Sequence, residues 1–112
     1  MKTYPVSELV AQAAASLAED GYSLLMVSDS FSDGCPMIVA GNGREAVFAP
    51  VRISSGRGFC RNTVNALNRP IWRRCAREFL RDEGIDAAKI SFVNMSARHL
   101  SGDAYALRRS WA

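Results

Sequence analysis

Met37-Ile-Val-Ala-Gly-Asn-Gly-Arg-Glu-Ala-Val-Phe-Ala-Pro-Val-Arg-Ile53 is the stretch that decides the fold. Two apolar runs, Met37 to Ala40 and Glu45 to Ile53, flank Gly41-Asn-Gly43, a strong short-range signal for a β-hairpin. On the second run Val47, Ala49, Val51 and Ile53 fall on one face of a strand. Pro50 cannot donate to a hydrogen-bond ladder, so the sequence predicts a sheet edge or a bulge at that point.

Toward the N-terminus, Tyr22-Ser-Leu-Leu-Met-Val27 is apolar on both faces from Leu24 onward, which predicts an inner strand. Asp29 to Pro36 is rich in turn formers, with Asp33-Gly34 as its bend. Residues 5–20 predict an amphipathic helix. Val6, Leu9, Val10, Ala13 and Leu17 share a face, the alanines favour helix, and Gly21 ends it.

Toward the C-terminus, Ser54-Ser-Gly-Arg-Gly58 reads as a loop, followed by a short helix from Phe59 to Leu67. Arg69 precedes a proline and is biased away from helical angles, so the helix breaks near residue 68. A second helix spans Asn68 to Gly84: Asn68 suits the N-cap, Pro70 the first turn and Gly84 the left-handed C′ position. Ile71, Trp72, Cys75, Ala76, Phe79 and Leu80 form its apolar stripe. Opposite them Arg69, Arg73, Arg77 and Arg81 recur every fourth residue, rooted about 6 Å apart at 1.5 Å rise per residue.

Lys89 to Met95 predicts another strand. Beyond it, Ser101-Gly-Asp103 either turns a hairpin whose return strand carries Tyr105, Leu107 and Trp111, or caps a last short helix; the hairpin is favoured. The resulting order is α-β-β-β-α-α-β-β. It defines a single α+β domain over residues 1–112, with an antiparallel or mixed sheet of about five strands. The N-terminal helix and the central helix pair are expected on one face of that sheet.

Composition narrows the functional classes. With 48% hydrophobic and 22% charged residues the 112-residue chain is ordinary for a globular domain. No apolar run approaches the length needed to span a bilayer, and Ser7, Glu8 and Gln12 interrupt any secretory h-region. Three cysteines, Cys35, Cys60 and Cys75, with no Cys-x-x-Cys pair, fit a cytoplasmic protein. Neither the cysteines nor the lone His99 have zinc spacing, so no metal or other cofactor is expected. A Cys60–His99–Asp103 set can be written down, but nothing in the spacing calls for it, and no catalytic residue is assigned.

The net charge of +3 hides a strong asymmetry. Residues 1–51 carry a net −4, residues 52–81 a net +7 and residues 82–112 none. Twelve of the fourteen basic residues are arginine, whose planar fork suits phosphates and carboxylates. The candidate contact residues are Arg57, Arg61, Asn62, Asn65, Arg69, Arg73, Arg77 and Arg81. The loop Ser54, Ser55, Gly56 and Gly58, leading into a helix, is a candidate phosphate cradle. A solvated helix face and a plain strand-to-helix turn account for the same residues without a ligand.

Three local resemblances bear on function. Arg52-Ile-Ser-Ser-Gly-Arg-Gly58 is similar to the pyrophosphate loop of GNAT acetyltransferases, with one extra residue before the first glycine, and Asn94-Met-Ser-Ala97 resembles their Asn-x-x-Ala. That likeness implies an acetyl-CoA enzyme. Cys60-Arg-Asn-Thr-Val-Asn-Ala-Leu-Asn-Arg-Pro70 is similar to the recognition helix of lactose-repressor-type helix-turn-helix domains, which implies nucleic-acid contacts from Arg61, Asn62 and Asn65. The predicted element order resembles that of type III secretion chaperones, which implies a protein partner. The reading favoured is a small non-catalytic protein whose arginine face binds a polyanion, foremost nucleic acid. Its alternative is an accessory factor docking an acidic protein through the same face, and an acetyltransferase-like enzyme ranks third. Self-association is a further expectation, with the acidic residues 1–51 of one copy meeting the basic 52–81 of another.

Overall fold

The computed structural model describes residues 6–28, 36–53, 70–102 and 104–111. Helix α1 (Val6–Glu19) is followed by β1 (Ser23–Ser28), β2 (Met37–Gly41), β3 (Glu45–Ile53), helix α2 (Pro70–Asp82), β4 (Lys89–Ser101) and β5 (Ala104–Trp111). The five strands form one mixed sheet in the order β1-β2-β3-β4-β5. β1, β2 and β3 are an antiparallel meander, β4 lies parallel to β3, and β5 returns antiparallel to β4. The α+β class and the strand count match expectation. The helix predicted at residues 59–67 falls outside the described residues.

The helices cover opposite faces of the sheet, not one face. Leu9, Ala13 and Leu17 of α1 pack with Ile38, Ala40, Val47, Ala49, Val93 and Met95. Ala76 and Leu80 of α2 pack with Met37, Val39, Phe48, Ile90 and Phe92. Alternation explains the division: β2 and β3 are apolar at consecutive positions, so both of their faces need cover. Two helices on one side would have left Ile38 and Val47, or Met37 and Phe48, in water.

Local chemistry sets the element ends. In the β2–β3 turn, Gly43 adopts φ +89°, and the Asn42 side-chain oxygen accepts from the N–H groups of Arg44 (3.1 Å) and Glu45 (2.8 Å). α2 ends as its glycine predicts. Gly84 has φ +71°, the Ile85 N–H donates to Leu80 C=O at 2.8 Å, and Gly84 N–H donates to Arg81 C=O at 3.1 Å. Ile85 then folds back against the same apolar cluster as Leu80.

Two strand-level expectations change. β1 is an edge strand rather than an inner one, with Leu24, Leu25 and Val27 exposed and a register shift between Leu24 and Met26. Pro50 lies in the central strand β3. The β3–β4 register runs through Phe48↔Phe92 and resumes at Val51↔Met95, skipping Ala49 and Pro50. A missing N–H is thus accommodated by a lapse in the parallel ladder, not by an edge. The same offset sets Asn94 level with Pro50, and Asn94 is buried with its side-chain oxygen lacking a hydrogen-bond partner among the described residues.

The apolar stripe of α2 is also rotated from its predicted setting. Ala76 and Leu80 are buried, Trp72, Cys75 and Phe79 are half-buried, and Ile71 is 63% exposed. Replacing Phe48, fully buried between the Phe92 and Phe79 rings, with alanine is expected to cost about 3–5 kcal/mol. Ile71→Ser is expected to stay within about 0.5 kcal/mol. Denaturant unfolding of the two variants checks both figures; a large loss at Ile71 would mean that the helix is seated otherwise.

Candidate functional site

Helix α2 presents its charges in three strips. Arg73 does not belong to the exposed ladder: its Nη1 donates to the Ile90 carbonyl at 3.1 Å and its guanidinium lies 5.5 Å from the centre of the Phe92 ring. It thus works as a clamp onto β4 through a hydrogen bond and a cation–π contact. Arg74, Arg77 and Arg81 are exposed and fall within about 60° of one another at 100° per residue. Glu78 and Asp82, also exposed, lie next round the helix, and Arg81 Nε stands 3.9 Å from Asp82 Oδ1. That contact is solvated on both sides and holds little energy.

The remaining predicted contacts, Arg57, Arg61, Asn62, Asn65 and Arg69, with the loop Ser54, Ser55, Gly56 and Gly58, lie outside the described residues. Strand β3 occupies residues 48–53, where a helix-turn-helix reading needs its first helix. Asn94 to Ala97 lie within strand β4. His99 serves the β4–β5 turn: its Nε2–H donates to Gly102 C=O at 2.7 Å, and its ring meets Tyr105 edge-on at 5.4 Å.

At the C-terminal end of α2 is an open depression of about 250 Å³ lined by Arg77, Leu80, Arg81, Ile85, Asp86 and Ala87. Leu80, Ile85 and Ala87 make its lining partly aliphatic, and Arg77, Arg81 and Asp86 supply two positive charges and one negative. Helical spacing puts those arginines on one strip but carries no sign of the hollow, which forms where the Gly84 turn folds Ile85 back.

Two further groups were not anticipated. The β4–β5 hairpin carries Arg98 and Arg108, both exposed, opposite Ala106 and Ser96 respectively. On the α1 face, Glu45 of β3 ties β4 to the α1–β1 connection. Its carboxylate accepts from Tyr22 O–H at 2.9 Å and from Ser91 Oγ–H, with Lys89 Nζ at 4.0 Å. The Ser91 hydrogen bond is the main influence holding the Glu45 carboxyl below its ordinary pKa, against the opposing effect of burial. The bond to Glu45 pushes the Tyr22 hydroxyl above its ordinary value. Spaced 23 and 46 residues apart from Glu45, these partners give no sequence signal.

Among the described residues no group of three His, Cys, Asp or Glu side chains could hold a metal ion, and no helix is long and apolar enough to cross a membrane. Comparisons with models of known protein families, with curated proteins and with solved structures gave no match.

The Glu45 cluster has a definite pH signature. Because its folded pKa is lowered, its contribution to stability is complete above the ordinary value of 4.5 and is lost as pH falls through the lowered value. Tyr22, raised above 10.0, contributes below that value and loses its contribution as pH rises through the raised one. Glu45→Gln is expected to flatten the acid limb of the melting-temperature profile, and Tyr22→Phe the alkaline limb. Unchanged limbs in both variants would show that other groups govern the profile.

Proposed function

We propose that the protein is a non-catalytic polyanion-binding protein that contacts nucleic acid through the exposed arginines of α2. The observation that carries this reading is the strip Arg74, Arg77 and Arg81, held outward on a helix whose other side is anchored by Arg73, Ala76 and Leu80. Arginine forks on a rigid helix, about one turn apart from Arg77 to Arg81, suit successive phosphate oxygens. The phosphate contacts predicted for Arg57, Arg61 and Arg69 belong to the same proposal.

A second reading has its own support. The hollow beside Arg77 and Arg81 has an aliphatic lining of Leu80, Ile85 and Ala87 and stays net positive with Asp86 counted, which suits an apolar side chain beside a carboxylate. An acidic protein segment has that chemistry and nucleic acid does not.

Salt-dependent binding separates the two. Each arginine neutralising a duplex phosphate contributes about −0.9 to the slope of log K against log salt. Arg77→Gln and Arg81→Gln are each expected to flatten the slope by roughly that amount while melting stays within about 0.5 kcal/mol of wild type. Arg73→Gln is expected to lower stability instead, since it removes the clamp onto Ile90 and Phe92. Absence of binding to any nucleic acid at about 50 mM salt would defeat the proposal and favour the acidic partner.

A further inference from the structure

β1 ends the sheet on one side and carries no charge. Its residues, Ser23-Leu-Leu-Met-Val-Ser28, include no ionisable side chain, and no described strand pairs with its outer edge. Leu24, Leu25 and Val27 are 48%, 44% and 40% exposed, so a short apolar stretch stands in water. Edge strands are ordinarily guarded by charge. The opposite edge is so guarded, because β5 carries Arg108 and Arg109.

The register shift gives β1 a second property. Leu24 stands opposite Ala40 and Val27 opposite Ile38, both in the α1 core, so these two lie on the α1 face. Met26 stands opposite Val39 and packs with the α2 cluster. Leu25 is on that α2 face as well. Its Cδ1 lies 3.1 Å from where a Cβ on Gly41 would be, and Gly41 is opposite Ala46 of the same cluster. From Leu24 to Val27 the faces therefore run α1, α2, α2, α1, the same in either direction. A regular strand alternates and has no such midpoint between two residues.

We propose that β1 is the contact of a symmetric homodimer, in which β1 of a second copy adds antiparallel to this edge about a two-fold axis level with the Leu25–Met26 midpoint. Opposite residues of an antiparallel pair share a face, and a two-fold axis perpendicular to the sheet keeps the α1 side with the α1 side. Leu24 then meets Val27 of the second copy on the α1 face, and Leu25 meets Met26 on the α2 face, each twice by symmetry. Every pair is apolar against apolar. A regular extended segment from another protein alternates its faces and falls out of step between Leu25 and Met26. The irregularity that hinders general extension of this edge is thus matched by its own copy. Assembly stops at two chains, because the edges left over are both β5, where arginines would face arginines. The two five-stranded sheets become one, with both α2 helices on the same face. One strand per copy is a small interface, so a dissociation constant on the order of micromolar is expected.

Sedimentation of the full chain across a concentration series tests this. Wild type is expected to pass from one-chain to two-chain mass as concentration rises, equally at low and high salt, since no charge takes part. Leu24→Lys and Val27→Glu are each expected to weaken the dimer about tenfold or more with melting unchanged, because each substitution enters the contact twice opposite an apolar residue. Mixing the two variants is expected to restore a dimer, since position 24 of one then meets position 27 of the other with opposite charge. Leu100→Lys, at an exposed residue of the β4–β5 hairpin, is expected to leave the dimer as in wild type. One-chain mass at every concentration would overturn the proposal. A dimer indifferent to both β1 variants would place the contact elsewhere and overturn it equally. A dimer dissolved by salt would do the same, in favour of the acidic and basic segments meeting. Mixed variants that stay apart would overturn the pairing about the Leu25–Met26 midpoint.

Discussion

Phe48 sits at the meeting of three elements, its ring centre 5.8 Å from Phe92 on β4 and 6.0 Å from Phe79 on α2. This three-ring contact fixes the rotation of α2 about its own axis, and the distribution of charge on the helix follows. With Phe79 held over β3, Ala76 and Leu80 turn down into the sheet and Arg73 is brought over Phe92. Arg74, Arg77 and Arg81 are left outward. A setting one residue away would bury Arg77 against apolar strands, where an unpaired charge costs far more than the packing could return.

Much of this fold is legible in the chain because its signals are local. Gly41-Asn-Gly43 carries its own turn chemistry, Gly84 its own cap, and Ser101-Gly102 its own hairpin. The placement of layers is not local. Apolar residues at consecutive positions in β2 imply that both faces are covered, yet the helices themselves contain nothing that names a face. The same limit explains β1. Leu24, Leu25 and Val27 have the composition of an inner strand, but position in a sheet depends on partners rather than on the strand itself. Its register shift at Leu25 is a familiar way of making an exposed edge harder to extend.

The candidate site divides along the same line. Helical spacing correctly grouped Arg77 and Arg81 on one strip. It could not separate Arg73 from them, because Arg73 differs only in lying within reach of Ile90 and Phe92 of β4. Arg98 and Arg108 carried no signal, since residues 82–112 are electrically neutral as a segment. Neutrality in sequence conceals separation in space. Along the hairpin the arginines alternate between faces, while Asp82 and Asp86 belong to α2 and the turn that follows it.

Which arginines of the hairpin lie on the α2 face of the sheet is decided at its turn. The His99 ring donates to Gly102 C=O, and the register shift between His99 and Ser101 sets Arg108 beside Ser96 and Arg109 beside Met95. Because side chains alternate with a period of two, a slip of one residue would exchange the two faces along the whole of β5. Arg108 would then meet the α1 side and Arg109 the α2 side, while Tyr105 and Leu107 would leave the α1 core for water and Trp111 would leave Tyr22. Burial of Tyr105 and Leu107 against that core opposes the slip. The pairing of Arg109 with Asp20, at the end of α1, opposes it again. The apolar half of β5 thus holds its basic half in place, and the charge on the α2 face is fixed by packing on the other side of the sheet.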